Sequence, residues 1–388
     1  MLRRLTNEEF DNAVQLRRDL HAHPELRFAE FRTSERIALE AEQLGFTVIR
    51  GVAKTGVIVE WDSGKPGPHI LLRADLDALP VPDLKNVEYR SVNEGVMHAC
   101  GHDVHVTVMM TIARLISGTP PDKGKITFLF QPAEEIPFGA TSGAQAILDS
   151  GHFERLHPDL VLGLHCWPTL KAGEIGIDKK IAMAAKDAFS IKITGRGAHA
   201  ATPELGIDSI LVATQIVSQL HHLISRQVNP SDSAALNVGT IHGGHSQSVL
   251  ADEVEITGTI RTINADSRAG LRLGVTRLAE GVAISSGARI ILEWANEMPA
   301  VINNQDLVAI STKTFGRVVG LENVVLISDP PMTADDFALY AEKVPGLYIK
   351  LGVGSNYPLH SSHFDVDEEC IRHGVEALHE LTLELISR

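Results

Sequence analysis

The chain has 388 residues, 44% hydrophobic and 22% charged, with a net charge of −14 and three cysteines. That length accommodates two domains of roughly 100–200 residues each. The negative charge argues against nucleic acid and anionic membranes as partners, since both need a basic face, and points to small molecules. Cys100, Cys166 and Cys370 are too few and too scattered for a disulfide framework, which fits a reducing, cytoplasmic setting. The N-terminal residues lack the apolar run of a signal peptide, and the chain has no run of about eighteen apolar residues that would predict a membrane span.

Apolar positions at helical spacing predict a helix over Asn7 to Leu20, with Thr6 or Asn7 able to cap it and Arg17 joining the apolar face by its stem. A second helix is expected over Thr33 to Leu44, stopped by Gly45. Gly56 to Trp61 and His69 to Arg73 read as short strands, the second followed by Asp75 and Asp77. Next come Val96 to Val106, with one cysteine and three histidines, a helix over Val104 to Ser117, and a strand over Lys125 to Phe130 that ends at Gln131-Pro-Ala-Glu134-Glu135. A helix over Ala140 to Leu148 leads to a strand over Leu160 to Leu164 that runs into His165. Strands alternating with helices predict an α/β sheet with parallel character, in which ligands gather outside the carboxyl ends of the strands. Asp75, the glutamate pair and His165 all fall there.

From about residue 184 the pattern changes. Lys186 to Gly195 alternates, a helical stripe runs from Ile207 to Ile224, two strands span Ala234 to Ile241 and Glu253 to Thr262, a helix covers Ser267 to Ser285, and a strand closes at Arg289 to Trp294. This β-α-β-β-α-β order is the ferredoxin-like unit. Residues 184–295 are therefore expected to form an inserted domain, with 1–183 and 296–388 together building the other. The second part should hold helices near Asp306 to Val319, Asp335 to Glu342 and Asp367 to Ile386.

Cys100 and His102 stand two apart, which in an extended chain puts both side chains on one side, and Gly101 lets the backbone bend between them. With His165, His360 and one carboxylate of the Glu134-Glu135 pair they make a mixed N, O and S donor set. Such a set suits Zn²⁺, Mn²⁺, Co²⁺ or Ni²⁺ better than Mg²⁺ or Ca²⁺. Five donors exceed the four of a closed structural site, so two metal ions sharing a bridging group are expected. The other glutamate is then free to move a proton.

Taken in order, the segments His21-Ala-His-Pro-Glu-Leu, Leu72-Arg-Ala-Asp-Leu-Asp-Ala-Leu-Pro, Met97-His-Ala-Cys-Gly-His-Asp-Val-His, Phe130-Gln-Pro-Ala-Glu-Glu, Gly163-Leu-His-Cys-Trp-Pro, Gly197-Ala-His-Ala-Ala-Thr-Pro, Gly258-Thr-Ile-Arg-Thr and Asp336-Phe with the late histidine carry a resemblance. The chain resembles the M20 metallopeptidases, in the branch of aminoacylases, hippurate hydrolases and auxin-conjugate amidohydrolases. The resemblance implies a phosphorylase/hydrolase-like zinc-peptidase domain with a ferredoxin-like lid that also dimerises. It implies metal binding by Cys100, His102, Glu135, His165 and His360, with two divalent ions (Zn or Mn, with Co or Ni also compatible). Glu134 would be the general acid and base, and Asp75 would orient the site from behind the ligands. His199 would reach into the site of a second subunit in a homodimer, and Arg261 would grip the carboxylate of an N-acyl amino acid.

Two departures bear on the substrate. Ser248-Val-Leu-Ala stands where the family often has Asn-Val-Ile-Pro, so a hydroxyl replaces an amide. Ser362 replaces a common proline after His360-Ser, and His363 lies near enough to compete with His360, which is preferred. Two other readings stay open: a dipeptidase or aminopeptidase of the same family, and an idle protein that binds amino-acid conjugates.

Overall fold

The computed structural model describes residues 2–388. Its larger sheet has eight strands in the order Thr47–Val52, Gly56–Asp62, Lys125–Gln131, His69–Asp75, Leu160–Trp167, Gly346–Gly352, Ile175–Asp178, Val324–Ile327. The four strands from Lys125–Gln131 through Gly346–Gly352 are parallel, so their carboxyl ends share one edge, and the strand next to them on each side, Gly56–Asp62 and Ile175–Asp178, runs antiparallel. Strand side chains alternate between two cores. Val57, Val59, Ile70 and Leu72 pack with the helices Asn7–Ala22, His102–Gly118 and Glu369–Ser387, while Ile58, Leu71 and Leu129 pack with Ala144, Ile147, Phe153 and Tyr340 on the opposite face.

The smaller sheet is antiparallel, in the order Arg289–Met298, Ala185–Thr194, Glu253–Thr262, Ala234–Gly243. With the helices Ser209–Gln227 and Ala265–Ser286 it makes the expected β-α-β-β-α-β unit. Phe189, Ile191, Ile193, Ile256 and Ile260 face those helices with Leu220, Leu271 and Val275. The alternate positions Lys186, Thr257, Thr259 and Arg261 lie on the other face, as the period of two requires.

The differences from the sequence reading are local. Thr6 caps the first helix in a full capping box with Glu9. Arg17 is buried whole, charge included, because Asp103 and Asp365 pair with it at 2.9 and 2.8 Å. The helix expected over Asp335 to Glu342 shrinks to Ala338–Ala341, since Asp335 and Asp336 turn inward to other partners. The strands Thr47–Val52, Ile175–Asp178, Val324–Ile327 and Gly346–Gly352 lie outside the sequence reading. Among the described residues no helix is long and apolar enough to cross a membrane.

Candidate active site

The carboxyl edge of the parallel strands collects the donors. Cys100 and His102 come from the start of the helix His102–Gly118, and the extended geometry expected for them is replaced by a left-handed turn at Gly101, φ 86°. A Cβ at Gly101 would lie 2.7 Å from the Cys166 sulfur, so glycine is required twice over. His165 projects from the strand Leu160–Trp167, Glu134 and Glu135 follow Lys125–Gln131, and His360 follows Gly346–Gly352. The Cys100 Sγ lies 3.4 Å from His165 Nε2 and 3.3 Å from His360 Nε2, and His360 Nε2 lies 2.9 Å from Glu135 Oε1. Donor atoms of Cys100, His102 and His165 fall within 4.8 Å of one another, as do those of Cys100, Glu135 and His360, and those of His102, Glu134 and Glu135. The first two triplets share the Cys100 thiol.

Hydrogen bonds set the tautomers. His102 Nδ1 donates to the Asp77 carbonyl and His165 Nδ1 to the Cys166 carbonyl, each at 2.8 Å, which turns both Nε2 atoms toward the cluster. His102 Nε2 is buried without a partner, an arrangement a bound cation would satisfy. Burial alone would lower the His102 imidazole, but Asp75 and Asp77 outweigh it and carry it up to about 10. Burial and the charges of Glu135, Glu134 and Asp75 push the Cys100 thiol well up. Burial, then Glu135, Asp335, Asp336 and Asp77, likewise raise Glu134 well above the carboxylate range, whereas His360, His102 and His165 hold Glu135 below it against burial. The cluster thus retains protons that divalent cations would replace, and the donor set fits borderline transition metals.

The supports behind this cluster were only partly foreseen. Asp75 accepts from His105 Nδ1 at 2.6 Å, and His105 Nε2 accepts the Cys166 backbone N–H at 3.0 Å. Asp75 also accepts from Arg73 at 2.6 Å, and that buried arginine reaches Asp336 at 2.7 Å and Gln131 at 2.9 Å. Asp77 accepts the backbone N–H groups of Glu134 and Glu135 at 3.1 and 2.9 Å. Ala133, at φ 50°, is held from the other side by Glu30, which accepts its N–H at 2.9 Å. His360 itself sits at φ 65°, a left-handed conformation uncommon outside glycine. Sequence reasoning gave no role to Arg73, Asp77, His105, Asp335 or Asp336. The signal was present in the alternation Arg73-Ala-Asp75-Leu-Asp77, where charged residues directly follow the apolar run Ile70-Leu-Leu72.

A cavity of about 140 Å³ opens over the cluster, lined by Cys100, Glu134, Glu135, His165 and His360 together with Lys186 and Arg261 of the lid. Arg261 is half-buried and donates to the Met332 carbonyl at 2.8 Å. His199 is not brought to this cavity. It is exposed, its Nδ1 accepts the Ala201 N–H at 3.0 Å, and its loop pairs with the segment that contains Ser248. His363 stacks on Tyr357 outside the cluster, with ring centroids 5.3 Å apart, so of the two late histidines His360 is the one that enters it.

A parallel α/β sheet that carries a buried cluster of thiol, imidazole and carboxylate donors at its carboxyl edge, together with a β-α-β-β-α-β unit, defines a class. Residues 71–384 match the model of peptidase family M20/M25/M40, and the chain belongs to that family. It is similar to the N-acetylcysteine deacetylase of Bacillus subtilis, with 36% identity over 92% of each chain. It is also similar to thermostable carboxypeptidase 2 of Saccharolobus solfataricus, with 33% identity over 95% of this chain and 93% of the relative. Among solved structures, the YXEP protein of Bacillus subtilis, described as a dinuclear metal-binding peptidase of the M20 family, superimposes with a TM-score of 0.84 at 31% identity, covering 98% of this chain and 99% of that one.

Proposed function

We propose that this protein is a metal-dependent amidohydrolase that cleaves the amide bond of N-acyl amino acids. The observation that carries the reading is the placement of Glu134 beside the donors Cys100, His102, Glu135, His165 and His360, in a cavity that Arg261 also lines. The deacetylase relative supports the acyl class.

Two divalent ions, when bound by those five donors, supply Lewis-acid polarisation and lower the pKa of water to about 7. The remaining steps belong to the chain. Glu134 takes a proton from the attacking water as the new C–O bond forms, then delivers it to the nitrogen as the C–N bond breaks. Arg261 holds the substrate carboxylate, and Asp75, through His105 and its approach to His102 at 3.7 Å, keeps the site aligned. Thiolate ligation favours Zn²⁺ on softness, and carboxylate and imidazole donors accept Mn²⁺ as well.

The reading includes a homodimer joined through lids formed by residues 184–295, with His199 serving the neighbouring site. His199 lies outside its own cavity, and with Nδ1 accepting, its Nε2–H is free to donate to a developing oxyanion. The lid has an open edge at Ala234–Gly243, and its flanking helix exposes Ile210 and Leu211. Three free, buried cysteines fit the cytoplasm.

A second reading, a peptidase acting on free peptides, is favoured by the carboxypeptidase relative. Protein reconstituted with Zn²⁺ or Mn²⁺ and offered matched N-acetyl amino acids and dipeptides separates the two. The proposal expects kcat/KM to favour the acetylated substrates; preference for the dipeptides sinks it in favour of the peptidase. Binding of acetylated substrates without turnover would instead make the protein an idle receptor.

A further inference from the structure

Arg261 and Lys186 are register partners on adjacent antiparallel strands of the lid, so both side chains leave the same face directly opposite one another. Both line the cavity over Glu134 and Glu135. Like charges directly opposite on neighbouring strands are destabilising. Elsewhere on the same strand the charges are matched: Lys192 pairs with Glu253 at 2.8 Å, and Asp187 takes both Arg268 and Arg272. At the cavity neither cation has an ion pair among the described residues, and Arg261 is anchored only to a backbone carbonyl. Burial and the neighbouring Arg261 hold the Lys186 ammonium below its ordinary value although Glu134 and Glu135 act in the opposite sense, and burial lowers Arg261, so neither cation is fully compensated by the carboxylates of the cavity.

Lys186 also lines an adjoining groove of about 180 Å³, with Asn237, Thr257, Thr259, Asn296 and Phe138. The lysine therefore stands where the reaction cavity meets a groove of mixed polar and apolar lining, in which it is the one charged side chain. A substrate whose α-carboxylate is held by Arg261 leaves Lys186 to meet a second negative group on the part that enters the groove.

We propose that Lys186 and Arg261 form a two-cation receptor that selects substrates carrying a second carboxylate, on either the amino-acid side chain or the acyl group. This rests on the amidohydrolase reading above. The test compares kcat/KM within isosteric pairs on metal-loaded protein: N-acetyl-glutamate against N-acetyl-glutamine, and N-succinyl-alanine against its terminal amide. The charged member should be preferred by about tenfold or more in at least one pair, the pair identifying which part of the substrate carries the carboxylate. Lys186→Met should bring that ratio close to one, and Lys186→Arg should keep it. A ratio of one or below in both pairs, or a preference that survives Lys186→Met, overturns the receptor while leaving the amidohydrolase reading in place. If no compound is hydrolysed, the amidohydrolase reading fails, and calorimetric binding of the same pairs decides the receptor. Tighter binding of the charged member, lost in Lys186→Met, supports it; equal or absent binding overturns it.

Discussion

Asp77 Oδ2 accepts the backbone N–H of Glu135 at 2.9 Å, and through this bond a residue outside the donor set fixes where the glutamate pair stands. Its other oxygen takes the Glu134 N–H, and its carbonyl takes the His102 Nδ1 proton. Asp77→Asn turns one acceptor oxygen into a donor facing an N–H. Metal affinity should fall about 10- to 100-fold, as for other partners that orient ligands from behind. Equilibrium dialysis against Zn²⁺ checks it; unchanged affinity would mean the turn at Glu134 holds its shape unaided.

Arg73 neutralises Asp75 and Asp336 in a fully buried setting. Removing one partner of such a cluster strands the others, and Arg73→Met should destabilise the chain by about 3–5 kcal/mol. Denaturant unfolding of the chelated protein measures this without interference from metal release.

His379 is buried in the final helix with both ring nitrogens unpartnered, and burial, with Arg3 adding to it, lowers its pKa to about 4. A histidine whose folded pKa is depressed contributes stability above its unfolded value, near 6.5, and loses it as pH falls toward 4. This one residue should give a slope of up to about 1.4 kcal/mol per pH unit across that window. His379→Leu should flatten the slope and leave neutral-pH stability equal or higher, because it removes two unsatisfied nitrogens. Unfolding titrations at pH 7, 6, 5 and 4.5 give the comparison.

The shared site predicts recovery of activity from two inactive proteins. Mixed Glu134→Gln and His199→Ala subunits should regain up to about a quarter of wild-type turnover. Half of randomly exchanged dimers are mixed, and each has one of its two sites intact. Continued inactivity after exchange is confirmed by mass spectrometry would return His199 to its own chain's chemistry.

The site was legible where chemistry follows a strand end in sequence. Glu134-Glu135 and His165 close apolar strand runs, and Cys100-Gly-His102 carries its own turn. Less legible were contacts set by pairing over long separations. That Lys186 opposes Arg261 depends on the register of two strands some 75 residues apart, and that His105 links Asp75 to Cys166 depends on three elements converging. The strand Gly346–Gly352 escaped notice because Lys350 interrupts its apolar run, yet that lysine is buried against Asp178 at 2.7 Å. Thr47–Val52 is an edge strand with no regular alternation of burial, so it carries no periodic signal.

The central claim is that Glu134 moves the proton in a metal-dependent amide hydrolysis. Its most direct test sets wild type and Glu134→Gln side by side, both loaded with Zn²⁺ or Mn²⁺, with metal content and release of free amino acid from N-acetyl amino acids measured on the same samples. The account predicts about two metal equivalents in each protein, turnover by the wild type, and a loss of about 10²- to 10⁴-fold in the variant. Near-native turnover by metal-loaded Glu134→Gln would contradict it.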